Sequence, residues 1–291
     1  MKLDNDDFVF LCQQAITAAR QAGRVISSMS GQPVEVEAKK AGASLASQVV
    51  TQVDRLAQEA ILEILLPTCS RFDLALLTEE TPDDLQRLEK DYFWCIDPLD
   101  GTLSFIESTP GYAVSIALVA RDGTSYIGVV YDPIEHTIYH AIKGEGVFKN
   151  NIQWLPQSIP NQPLTVIFDP SFKLHEHYST ILTKLKKLSV DIGCQGFKSI
   201  FYGGSVMNAC LVLENTPACY FKLPKPEKGG GCLWDYAATV CIFHEMGAIA
   251  IDMYGKAIEL NRPESTFLNH KGVLFATNKK IARKVINFGK R

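Results

Sequence analysis

Trp94-Cys95-Ile96-Asp97-Pro98-Leu99-Asp100-Gly101-Thr102 is the stretch on which the reading of this chain turns. An apolar run of strand type ends in Asp-Pro, and the proline pushes Asp97 away from helical geometry. Asp100 follows three residues on, and then a glycine. This spacing predicts two carboxylates on a rigid turn at the C-terminal edge of a strand, converging on one point. The Leu99 carbonyl lies between them as a third oxygen. A set of donors made only of oxygen suits Mg²⁺ rather than zinc. Gly101 and Thr102 are expected to open a short helix whose N–H groups can face an anion. A plain turn with Asp100 as a helix cap accounts for the same residues, so the rest of the chain has to decide.

Three further segments bring acids to the ends of regular elements. Leu76-Leu77-Thr78-Glu79-Glu80 places two at the end of an apolar strand, where a solvated strand end is the ordinary reading. Val50-Thr51-Gln52-Val53-Asp54 has the spacing of a capping box. Leu233-Trp234-Asp235-Tyr236-Ala237-Ala238 opens a helix with an acid after a tryptophan, again a common cap. Each acid has a structural explanation taken alone. Four such segments in one chain favour a shared site.

The composition narrows the class. The chain has 291 residues, 46% of them hydrophobic and 21% charged, with a net charge of -3. That length buries a sizeable core and suggests about two domains or one large one. The charge balance provides no basic field for nucleic acid or anionic membrane. The eight cysteines contain no Cys-x-x-Cys pair and lie mostly in apolar runs, which points to reduced, buried thiols and a cytoplasmic setting. The N-terminus, MKLDNDDFVF, lacks the basic start of a signal peptide. The longest apolar stretch, around Tyr112–Ala120, is well short of the ~20 residues that span a bilayer.

Apolar residues at three- and four-residue spacing from Phe8 to Ile26 predict a long first helix. A second helix is expected from about Val53 to Leu66, with Pro67 as its stop. The period then changes. Leu74–Leu77, Tyr92–Ile96, Tyr112–Ala120, Ser125–Tyr131 and Thr137–Ala141 read as strands of an antiparallel meander. A boundary is placed in the polar, proline-bearing stretch Asn150–Pro163. It divides residues 1–155, an α+β half with most of the acids, from residues 156–291, an α/β half that completes the site with Asp235. Strands are expected at Leu164–Phe168, Ala218–Leu223, Ala248–Asp252 and Val273–Ala276. Helices are expected at His175–Leu188, Gly204–Leu213, Asp235–Met246 and Lys279–Ile286. Pro224–Gly231, with three glycines, reads as a mobile loop. The two halves together suggest layered α and β elements.

The order Thr51-x-x-Asp54, Glu79-Glu80, Asp97-Pro98-Leu99-Asp100-Gly101-Thr102 and Trp234-Asp235-x-Ala237-Ala238 resembles the inositol monophosphatase superfamily, Mg²⁺-dependent and often lithium-sensitive phosphatases. Gly128-Val-Val-Tyr131 and Lys143-Gly-Glu-Gly146 also match its central meander. The resemblance implies a layered αβαβα sandwich of sugar-phosphatase type and a phosphomonoesterase holding two or three Mg²⁺ per active site. It implies that Glu79, Asp97 and the Leu99 carbonyl hold the first metal, and that Asp97, Asp100 and Asp235 hold the second. Thr102, polarised by Asp54, would orient the attacking water beside Glu79, and the Gly101 and Thr102 amides would meet the phosphoryl oxygens. Glu80 would support the site from behind or through water. The implied partners are a small phosphorylated metabolite and a second copy of the chain, a homodimer, with no nucleic acid and no membrane.

Tyr220-Phe-Lys-Leu-Pro224, the loop after it and Pro263-Glu-Ser-Thr-Phe-Leu-Asn269 resemble the 3'(2'),5'-bisphosphate nucleotidase branch. That branch removes the 3'-phosphate from adenosine 3',5'-bisphosphate. The second phosphate of such a substrate needs a cation, for which Lys222, Lys225, Lys228, Lys39 and Lys40 are candidates. Inositol-1-phosphate or another sugar phosphate is the alternative substrate. A catalytically silent metabolite-binding protein on the same fold is the alternative of a different class. It should have lost a site acid or Thr102, and this sequence has lost neither.

Overall fold

The computed structural model describes residues 3–32, 36–38, 49–156, 161–286 and 288. Asp4 and Asp7 form a reciprocal capping box that opens the 25-residue helix α1 (Asn5–Met29). Its buried stripe, including Leu11, Ala15, Ile16, Ala19 and Ile26, follows the period seen in the sequence. The short strands β1 (Val36–Ala38) and β2 (Val49–Thr51) pair antiparallel.

Helix α2 (Gln52–Phe72) does not stop at Pro67 but runs one turn past it. An interior proline removes one hydrogen bond and usually breaks or kinks a helix. Side chains hold the extra turn here. The Thr68 hydroxyl donates to the Leu65 carbonyl (2.6 Å) and accepts from the Trp94 indole N–H (2.9 Å). Phe72 then packs into the core.

A seven-stranded sheet follows in spatial order β3 (Ala75–Thr78), β4 (Tyr92–Asp100), β5 (Ala113–Ala120), β6 (Ser125–Asp132), β7 (Thr137–Ile142), β8 (Gly146–Lys149), β9 (Ile152–Gln153). From β4 onward every pair is antiparallel, the expected meander, while β3 lies parallel to β4. The short helix α3 (Thr102–Ile106) leaves the end of β4. The second half contains β10 (Leu164–Phe168), α4 (Tyr178–Asp191), β11 (Phe197–Phe201), α5 (Ser205–Glu214), β12 (Ala218–Lys222), α6 (Ala237–Glu245), β13 (Ile249–Ile251), β14 (Val273–Ala276) and α7 (Lys279–Val285). Its five strands are ordered β11-β10-β12-β14-β13, with β10 parallel to both of its neighbours.

Period-two alternation sorts the side chains into three layers of core. On β4, Trp94 and Ile96 face α1 and α2, while Phe93 and Cys95 face α5 and α6. On β12, Tyr220 faces α5 and α6, while Cys219 and Phe221 face α4 and α7. The result is helices, sheet, helices, sheet, helices: the αβαβα sandwich expected from the sequence. All eight cysteines are unpaired. Among the described residues no helix is long and apolar enough to cross a membrane.

Several boundaries differ from the sequence reading. β4 continues through Pro98 to Asp100 instead of ending at Asp97. α4 begins at Tyr178, because Pro170–Leu174 forms a separate 3-10 turn. β11 was not expected. It is a half-exposed edge strand, Phe197-Lys-Ser-Ile-Phe201, without clean apolar alternation.

Candidate active site

A bulge brings the first two acids together. Asp97 pairs with Ser115 and Asp100 with Ala113, so β4 carries one more residue than β5 between these pairs. Such an insertion bends the strand and re-aims its side chains. Pro98 falls within it, where a missing N–H is tolerated. The Leu99 N–H donates to Asp97 Oδ1 at 3.0 Å and closes the turn.

Asp100 is held from the second half of the chain. Its Oδ1 accepts from the Ser205 N–H (3.2 Å) and its Oδ2 from the Val206 N–H (2.8 Å), so it caps α5. Gly204 makes this approach possible: a Cβ there would overlap the Asp100 carboxylate. The Gly204 N–H donates to the Gly111 carbonyl at 2.7 Å, locking the two segments side by side. Asp235 comes in before α6. Its Oδ2 accepts from the Cys232 N–H at 2.9 Å, and α6 begins at Ala237, two residues later than the sequence suggests. The Ser115 hydroxyl draws the segment onto β5 by donating to the Trp234 carbonyl (3.0 Å).

The carboxylates of Asp97, Asp100 and Asp235 therefore meet, with one oxygen of each within 4.8 Å of the others. Glu79, just past β3, donates its N–H to the Ile96 carbonyl (3.1 Å) and sets its side chain in hydrogen-bond contact with Asp97. Burial, followed by Glu79, Asp100 and Asp235, pushes the Asp97 carboxyl well above the usual carboxylate range. Burial and then Asp235 do the same to Asp100, opposed by the Val206 N–H and by Lys222. Burial also raises Asp235, opposed first by Lys222. Acids gathered this closely could hold a hard cation.

Beside them stands a second pair. The Thr102 hydroxyl lies 3.0 Å from Asp54 Oδ1 and 3.1 Å from the Leu99 carbonyl. Both side chains are buried, Asp54 on the first turn of α2 and Thr102 on the first turn of α3. Gly101 caps α3 with φ +84°, a backbone that only glycine adopts without strain.

The remaining candidates divide. The Glu80 N–H donates to Gln58 Oε1 on α2 at 3.3 Å, one residue behind Glu79. Lys222 is the last residue of β12, not a loop residue. Its ammonium donates to Ser205 Oγ at 2.8 Å and pairs with Asp169 at 3.2 Å. Lys225 and Lys228 are on the loop. That loop is fastened by Lys225 N–H to the Asn269 carbonyl (2.8 Å), by the Asn269 amide to the Lys225 carbonyl (3.1 Å) and by Tyr236 O–H to the Gly230 carbonyl (2.8 Å). Lys228 lies over the Phe267 ring. Lys39 and Lys40 fall outside the described residues.

Sequence reasoning missed Gly204, Ser205 and Asp169. A signal existed for each. Gly203-Gly204-Ser205 directly precedes a helix, and Phe168-Asp169-Pro170 repeats the strand-then-Asp-Pro pattern of Ile96-Asp97-Pro98.

The model of the inositol monophosphatase family matches residues 10–287. The chain belongs to the inositol monophosphatase family. It is thus a member of a superfamily of phosphomonoesterases, generally metal-dependent, and its clustered acids fit that chemistry. It is 30% identical over 242 residues to the Nus factor SuhB of Pasteurella multocida, covering 83% of this chain and 84% of that one. The Thermotoga maritima IMPase shares the fold with a TM-score of 0.73 at 22% identity, over 95% of this chain and 96% of that one. The 2'AMP-bound inositol monophosphatase II of Staphylococcus aureus does so with a TM-score of 0.69 at 21% identity, over 93% and 90%.

Proposed function

We propose that the chain is a Mg²⁺-dependent phosphomonoesterase that hydrolyses a small phosphorylated metabolite, with adenosine 3',5'-bisphosphate as the preferred substrate. The observation that carries the reading is the meeting of Asp97, Asp100 and Asp235 within 4.8 Å of one another, beside the Thr102–Asp54 pair. Glu79, Asp97 and the Leu99 carbonyl are assigned to one Mg²⁺, and Asp97, Asp100 and Asp235 to another. When bound, such ions neutralise phosphoryl oxygens and acidify a water.

The protein's own groups supply the remaining parts. Asp54 accepts the Thr102 proton, which turns a Thr102 lone pair toward a water and orients that water for in-line attack on phosphorus. Glu79 is assigned as the proton acceptor for the same water. The Gly101 and Thr102 amides face the phosphoryl oxygens as charge moves onto them. Positioning and charge neutralisation account for most of the barrier reduction in this chemistry. Glu80 supports Glu79 from behind.

The substrate class rests on Lys225 and Lys228, which bring positive charge to the loop before Asp235 and suit a second phosphate. The Staphylococcus aureus relative, solved with 2'AMP, supports a nucleoside phosphate. The same relative, solved with inositol monophosphate, keeps inositol 1-phosphate as the alternative. A homodimer and a reducing, cytoplasmic setting complete the reading; the unpaired cysteines support the latter. The name Nus factor carried by the SuhB relatives supports a second role, assembly with transcription components.

Phosphate release from adenosine 3',5'-bisphosphate, inositol 1-phosphate, fructose 1,6-bisphosphate and 5'-AMP, with Mg²⁺ and with added Li⁺, tests the reading. Fastest release from the bisphosphate nucleotide is expected. No release from any of the four, with Mg²⁺ bound, overturns the enzymatic reading. Fastest release from inositol 1-phosphate overturns only the choice of substrate.

A further inference from the structure

Lys222 ends β12, and Asp169 directly follows its parallel neighbour β10. Their side chains are 18% and 25% exposed. Asp169 is fixed on both oxygens. Its Oδ1 accepts from Tyr220 O–H (3.0 Å) and from the Asn208 amide (2.9 Å), and its Oδ2 takes the Lys222 ammonium (3.2 Å). Asn208 is itself fully buried on α5 and also donates to the Gly203 carbonyl (3.1 Å). On its other side, Lys222 donates to Ser205 Oγ, whose backbone N–H holds Asp100. The ammonium is thus anchored one residue away from a cluster acid and cannot swing out to solvent without breaking both contacts.

We infer that Lys222, held by Asp169, is a built-in counter-ion beside Asp100 that weakens the grip of the acid cluster on Mg²⁺. The inference rests on the metal reading given above. Two opposed charges explain its sign. A fixed cation repels a second cation entering the same field, and Asp169 cancels part of that repulsion. Burial works against the Lys222 charge, but Asp169, Tyr220, Tyr236 and Asp235 outweigh it and keep the ammonium protonated. Lys222 and Asp169 are therefore positioning residues of opposite effect.

Mg²⁺ titration of the purified full-length protein by calorimetry, without substrate, tests the inference. Lys222→Met is expected to bind Mg²⁺ about tenfold more tightly than wild type, and Asp169→Asn about tenfold more weakly, from charges a few ångströms apart in a polarisable interior. The double variant Lys222→Met with Asp169→Asn is expected to fall between the two. It leaves no unpaired buried charge and so keeps the test open if a single variant misfolds. Equal constants in all variants, or weaker binding in Lys222→Met, overturn the inference while leaving the metal reading intact. No Mg²⁺ uptake by wild type overturns the metal reading and this inference with it.

Discussion

Thr102 Oγ1 stands 3.0 Å from Asp54 Oδ1 and 3.1 Å from the Leu99 carbonyl, two acceptors for a single proton. The proton goes to the charged acceptor, since a carboxylate bonds it roughly twice as strongly as a neutral carbonyl. The Leu99 oxygen then keeps its lone pairs for another partner. Thr102→Val retains the shape and removes the hydroxyl. It is expected to lower kcat by about 100-fold or more, the usual worth of a positioned proton-transfer group, with little change in KM. Thr102→Ser should retain most activity. Steady-state phosphate release checks both.

Gly204 has φ -66°, so alanine there meets no backbone penalty. The added methyl meets the Asp100 carboxylate instead. Gly204→Ala is expected to push Asp100 off the α5 amides and cost about 1–3 kcal/mol, the range for overpacking. Thermal unfolding reads the stability. A Mg²⁺ isotherm weakened in parallel separates displaced Asp100 from general loosening.

Asp100→Asn is nearly isosteric but offers one oxygen to two N–H donors. The amide nitrogen then faces either Ser205 N–H or Val206 N–H. Turnover should fall by orders of magnitude, and stability by about 1–3 kcal/mol for the unsatisfied donor. Turnover within tenfold of wild type would remove Asp100 from the proposed metal site.

Asp97, Asp100 and Asp235 all have folded-state carboxyls pushed upward, with burial as the first cause. A raised acid binds more protons folded than unfolded, so its stabilising effect is present at low pH and fades as pH rises. With chelator present, stability should therefore decline as pH climbs from about 4, the unfolded carboxylate value, toward neutrality. Added Mg²⁺ should reverse the decline by binding the ionised form. Denaturant midpoints across pH, with and without the ion, measure it.

Burial pushes the thiols of Cys12 and Cys219 up to about 12 and that of Cys69 to about 11. Thiolates are the reactive form. A thiol reagent at pH 8 should find only the half-buried Cys69 and Cys194 in the native protein, and all eight after unfolding. Fast labelling of a third native thiol would contradict the packing.

Layer order and most strands were legible because strand alternation is a local signal. Leu164–Phe168 and Val273–Ala276 match residue for residue. The end of α2 was not legible, because Pro67 speaks locally for a stop while Thr68 and Trp94, 26 residues apart, speak for continuation. At the site, the acids stood out by their motifs, yet what holds them did not. Asp100 is bound by amides 105 and 106 residues away, and backbone donors leave no mark on composition. Asp169 carried a local signal, the strand-then-Asp-Pro pattern, but its partners Asn208, Tyr220 and Lys222 lie 39 to 53 residues on and nothing local points to them.

The middle layer has a consequence for how the molecule is made. Phe93, Cys95, Ala117 and Val119 on the first sheet are covered by α5 and α6, which are synthesised long after β9 has emerged. At roughly 5–20 residues per second, the first sheet waits several seconds with one apolar face open to the cell. Asp235 arrives at the end of that interval, together with the helix that closes the face. The nascent chain is thus at its stickiest just before it can act, and a chaperone that recognises exposed sheet faces has its window between the two halves of the chain.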